Sequence, residues 1–159
     1  MEYYFFKSCK YRINYFSLET NNNPLFIRLA LCRMSEKKKF TLEYELRSSP
    51  RILFSFISEP NGLSQWFADD VIFRDQVYTF TWDDEVQKAK LLSIKENKLV
   101  KFKWLDDEPH CYFEMEIVQD ELTNDVALAI TDFATDETRA ERTKIWDNQI
   151  TYLLSVIGA

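Results

Sequence analysis

The chain has 159 residues, 46% of them hydrophobic and 29% charged, which fits a single globular domain with one core. It contains two glycines, Gly62 and Gly158, so glycine-rich phosphate loops and dinucleotide-binding turns are excluded. A net charge of −6 disfavours nucleic acid and anionic membranes as partners, because both need basic surfaces.

Residues 1–33 differ from the rest. They hold five basic residues against two acidic ones, a charge of +3, which leaves −9 for the remainder. Phe, Tyr, Asn, Lys and Ile make up 16 of these 33 residues but 36 of the following 126, and neither strand nor helix periodicity persists. Met34-Ser35-Glu36-Lys37 reads as the natural start of a protein, so residues 1–33 are expected to be a non-native or disordered extension and 34–159 the domain. A targeting segment is the alternative. No run approaches the ~18 apolar residues of a membrane span. The cysteines, Cys9, Cys32 and Cys111, lack metal-site spacing, and a reduced, cytoplasmic setting is the simplest reading.

Phe40, Leu42, Tyr44 and Leu46 alternate with polar neighbours, predicting a half-buried strand. Ser48-Ser49-Pro50 supplies a cap and a first-turn proline for a helix whose apolar side is Ile52, Leu53, Phe56 and Ile57. Glu59-Pro60-Asn61-Gly62 breaks it, and Leu63, Trp66 and Phe67 suit a second short helix. Six strands are then predicted near 71–74, 77–82, 87–95, 99–104, 111–118 and 126–133, separated by short polar turns. Spacing this close requires antiparallel hairpins, since parallel crossovers need about a dozen residues. Val100, Phe102 and Trp104 share one parity, as do Cys111, Phe113, Met115 and Ile117, so one face is covered and the other wet. Residues 136–159 form a long helix, capped by Thr135 or Asp136 and ended by Gly158. Its apolar stripe is Trp146, Ile150, Leu153, Leu154 and Ile157.

The order of one strand, two short helices, six strands and a long helix, with Ser49-Pro50, Pro60, Gly62, Trp66 and Phe67 in sequence, resembles the START-like superfamily. This group includes the birch-pollen-allergen and polyketide-cyclase folds. Trp146 matches a tryptophan common in the branch resembling activators of a heat-shock-protein ATPase. The resemblance implies an α+β helix-grip fold: a curved antiparallel sheet of about seven strands wrapped around the C-terminal helix, with a cavity between them. By resemblance and parity the cavity lining draws on Trp66, Phe67, Tyr78, Phe80, Trp82, Phe102, Trp104, Phe113, Met115, Trp146 and Ile150. Packing of those same rings into a plain core is the competing reading.

Arg139, Arg142 and Thr143 lie on the side of the long helix that carries Trp146, one or two turns earlier. Arg142 is thereby a candidate partner for a ligand carboxylate or phosphate. If that part of the helix projects past the sheet, both arginines are instead solvated or paired with acids such as Asp132 and Glu137. Catalytic readings fare poorly. His110 is the sole histidine and reads as a loop residue, and Cys111 as a small core residue. Adjacent residues on a strand point apart, which argues against a Cys-His pair. No HExxH, paired histidine or CxxC motif is present, and nothing implies a cofactor or metal. The expected function is a non-catalytic module enclosing a small apolar or amphipathic molecule; a protein-interaction module resembling chaperone-ATPase activators is the alternative, and a cyclase- or hydrolase-type enzyme ranks third.

Overall fold

The computed structural model describes residues 36–83 and 85–158; the head at 1–33 and the start expected at Met34 lie outside them. Strand β1 (Lys38–Leu46) is followed by helices α1 (Pro50–Ser58) and α2 (Pro60–Leu63). Strands β2 (Asp70–Arg74), β3 (Val77–Trp82), β4 (Glu85–Lys95), β5 (Leu99–Trp104), β6 (Phe113–Gln119) and β7 (Val126–Ala134) come next, and helix α3 (Arg139–Ile157) ends the fold. They build one antiparallel seven-stranded sheet in the order β1-β7-β6-β5-β4-β3-β2. The last six strands are a meander, β1 closes onto β7, and β1 and β2 are left as edges. This is the α+β architecture expected.

The strands form because side-chain parity holds along each of them. In β3 and β5, buried residues alternate with half-buried ones without a break. Hairpin turns use residues that tolerate left-handed backbone: Asp75 and Gln76 at φ 50° and 63°, Asn97 at 56° and Asn124 at 61°. In β4 the register shifts between Leu91 and Ser93, so Leu92 is an extra residue and 46% exposed.

Several boundaries differ from expectation, β4 beginning at Glu85 rather than Gln87 among them, and three others have a local cause. The second short helix begins at Pro60 rather than ending the break there, because proline needs no N–H partner at a first helical position. Gly62 thus lies inside α2, where an added Cβ would collide with the Ser55 carbonyl oxygen and approach Phe56 Cα within 2.6 Å. Strand β6 starts at Phe113, since Pro109 interrupts pairing and the Cys111 amide donates to the Glu108 carbonyl in a turn. Helix α3 starts at Arg139. Thr135 instead caps the turn before it, its Oγ1 accepting from the Thr138 amide at 3.2 Å. At the other end Gly158, at φ 71°, terminates the helix by donating its amide to the Leu154 carbonyl.

Ser49 caps α1 as expected, accepting from the Ile52 amide at 3.3 Å. This helix packs on β5 and β6 through Leu53 and Ile57, one turn apart, whereas Ile52 lies off that face and is 52% exposed. Helix α2 packs against β2, and α3 lies over β1 and β7. Among the described residues, no helix is long and apolar enough to cross a membrane.

Candidate functional site

Every residue expected to line a cavity lies in one buried cluster on the inner face of the sheet. Strand β3 contributes Tyr78, Phe80 and Trp82, β5 Phe102 and Trp104, and β6 Phe113 and Met115, all on inward parity. The turn after α2 inserts Trp66 and Phe67, and α3 lowers Trp146 and Ile150 onto them from above.

The rings touch one another. Phe67 lies 5.2 Å from Phe80, 5.9 Å from Trp82, and 6.0 Å from both Phe113 and Trp146, centroid to centroid. Phe113 stacks at 4.9 Å on Phe102 and 4.8 Å on Trp104. These are the separations of directly packed aromatic pairs. The polar handles of four rings are engaged as well. Trp66 Nε1 donates to the Phe56 carbonyl (2.9 Å), the Tyr78 hydroxyl to Ser58 (2.7 Å) and Trp82 Nε1 to Phe67 (2.7 Å). Trp146 Nε1 donates to a side chain, Asp132 Oδ2, at 2.8 Å.

Asp132 is the residue that sequence reasoning undervalued. It follows Leu128 and Ile130 on the inward parity of β7, opposite Phe40 of β1, and is only 4% exposed. Its partners are the Trp146 indole, the Arg142 Nε at 3.4 Å, and the Phe133 amide, which donates to Oδ1 at 2.8 Å. Burial pushes its carboxyl above the ordinary carboxylate value, while Arg142, the indole and the amide pull it back. Inward parity for a carboxylate was the available signal. Arg142 meets Asp132, which also binds the Trp146 indole, the acid pairing given above as the alternative to a ligand contact. Arg139 instead lies with its guanidinium carbon 5.6 Å from the centre of the Phe40 ring.

The same end of the sheet holds a second polar group. Lys37 pairs with Asp107, and Cys111 Sγ lies 3.6 Å from His110 Nε2. His110 and Cys111 both lie before β6, which begins at Phe113 rather than at the expected Cys111. In the turn that precedes β6, neighbours need not point apart. Burial first, then the Asp107 charge, pushes the Cys111 thiol up to about 11, which leaves it protonated and a poor nucleophile near neutral pH.

Residues 34–159 match the START-like superfamily domain. Among solved structures, a Bacteroides fragilis protein, BfR322, is 39% identical; the match covers 77% of this chain and 92% of that one, with a TM-score of 0.58. The Aha1 dimer from Colwellia psychrerythraea is 18% identical over 75% of this chain and 92% of that one, with a TM-score of 0.59. CalU16 from Micromonospora echinospora is 13% identical over 76% of this chain and 75% of that one, at 0.60. The latter two share the fold. No curated protein matches the chain.

Proposed function

This chain belongs to the START-like superfamily, and from that premise we propose that it is a non-catalytic binding module. The interior supports a module that engages a protein partner at its surface. The observation that carries this reading is the contact between the rings themselves: Phe67, Phe80, Phe102, Phe113 and Trp146 occupy the space that a ligand body would need. The bonded indoles and phenol point the same way, because handles already satisfied by the protein offer a ligand no orientation. Activators of a heat-shock-protein ATPase, the branch that Trp146 resembles, supply the class of partner. The test is the ATPase rate of a heat-shock chaperone with the full chain added. A concentration-dependent rise supports the reading, and an unchanged rate up to saturating protein overturns that choice of partner.

A second reading rests on Arg142. A small amphipathic molecule between the sheet and α3 would place its apolar body among Trp66, Phe67, Trp104, Phe113 and Ile150, and its carboxylate or phosphate on Arg142 in place of Asp132. Native mass spectrometry of freshly purified protein separates the two readings. The bare mass supports the surface module; a retained small molecule that Arg142→Ala releases establishes the enclosed ligand.

A further inference from the structure

The connection between β5 and β6 brings together three metal-ligating side chains that the proposed function leaves unused. Glu108, His110 and Cys111 each offer one donor atom, and the three atoms lie within 4.8 Å of one another. The turn creates the grouping: Pro109 stops strand pairing and the Cys111 amide returns to the Glu108 carbonyl at 3.0 Å. Consecutive residues that a strand would send to opposite faces therefore converge.

The spacing has a specific meaning. Tetrahedral Zn²⁺ holds thiolate sulfur at about 2.3 Å and imidazole nitrogen at about 2.0–2.1 Å, so the two donors stand roughly 3.6 Å apart. Cys111 Sγ and His110 Nε2 are 3.6 Å apart. Glu108 Oε2 lies 3.7 Å from the other ring nitrogen, Nδ1. Its side chain is 40% exposed, so it can swing the remaining distance toward an ion on Nε2. The Lys37 carbonyl oxygen, 3.4 Å from the same Nε2, marks the side left for a fourth ligand, water or that oxygen.

Donor chemistry narrows the ion. A thiolate and an imidazole suit Zn²⁺, whereas Mg²⁺ and Ca²⁺ take oxygen ligands. Two anionic donors, carboxylate and thiolate, balance the double charge. The sulfur is buried while Glu108 and His110 reach solvent, so an ion can enter from outside and seat against the sulfur. The surrounding charges, Lys37 and Asp107, already pair with each other.

We propose that Glu108, His110 and Cys111 form a Zn²⁺ site that pins the β5–β6 connection to the segment leading into β1. On binding, the Cys111 thiol proton passes to solvent and the Zn–S bond forms, with no change of oxidation state.

The experiment uses the full chain, freed of metal under reducing conditions and titrated with Co²⁺ and then Zn²⁺. One equivalent of Co²⁺ should give a near-ultraviolet sulfur-to-cobalt charge-transfer band and tetrahedral visible bands, both removed by one equivalent of Zn²⁺. Cys111→Ser should abolish the charge-transfer band. His110→Gln, at an exposed position where folding is not at stake, should weaken binding by about tenfold or more. Replacing Cys9 and Cys32 with serine should leave the spectrum unchanged. No stoichiometric binding at micromolar metal overturns the site, as does a band that survives Cys111→Ser and disappears with Cys9 and Cys32.

Discussion

The ring cluster around Phe67 and the polar group around Asp132 are both buried and share Trp146, yet they are held by different physics. In the ring cluster each contact is weak and undirected, and stability comes from apolar area removed from water and from close packing. At Asp132, a desolvated carboxylate is offset by three directed partners, so little net stability remains while the loss of any one partner is costly. A core of the first kind is robust to small rearrangement. A group of the second kind exists in few arrangements, which suits it to responding to a partner, an ion or pH.

The largest expected effect breaks both regions at once. Trp146→Ala should cost about 3–5 kcal/mol in denaturant titration, through cavity formation and the loss of Asp132's indole partner. Trp146→Phe separates them: it retains most of the packing and costs about 1–3 kcal/mol, mainly for the indole bond lost to a carboxylate that keeps Arg142 and the Phe133 amide. Arg142→Ala should cost about 1–3 kcal/mol at neutral pH, reduced from the fully buried case by the arginine's partial exposure. That cost should shrink in acid as Asp132 protonates.

Asp132→Asn should change stability by about 1 kcal/mol or less at neutral pH, since it removes an expensive charge and an ion pair together. Its signature is pH dependence. Asp132 has a raised folded-state pKa, so the native state binds its proton more tightly than the unfolded chain. The stability from this group is present below the unfolded carboxylate range and is lost as pH rises through the folded value. The asparagine variant should therefore be more favourable relative to the parent at pH 7 than at pH 4, and a constant difference would remove Asp132 as the titrating group. The smallest effect is expected from deleting residues 1–33, which should move the melting temperature by no more than roughly 2 °C. A larger drop would show that the head contributes to the domain.

Much of the fold was legible because parity and turn chemistry agreed. Asn97 and Asn124 stand at left-handed turn positions, and inward apolar residues repeat at every second position on either side. The bulge at Leu92 was hidden, since an extra residue in an apolar strand leaves no compositional mark. At the candidate site the aromatic residues were visible as a set, but their mutual distances are a tertiary property. Asp132 was named only as a possible partner for the arginines, although its place after Leu128 and Ile130 put it inside. The contact between His110 and Cys111 was missed because strand alternation was applied from Cys111, two residues before β6 begins, where it does not yet hold.

The open sheet has a consequence for how the protein behaves in a crowd. Among the described residues, its free edges, β1 and β2, are the two places where another chain could add a strand. Along β1, the outward positions Lys39, Glu43 and Glu45 carry charges of both signs, and the inward Tyr44 is tied to Asp147 at 2.7 Å. On the other side, β2 runs for only five residues and ends in Asp70 and Arg74. An incoming strand would have to desolvate those charges for a few ladder bonds. Edge-to-edge growth into fibrils is therefore opposed at both margins, even though seven strands of this sheet are rich in aromatic and branched side chains.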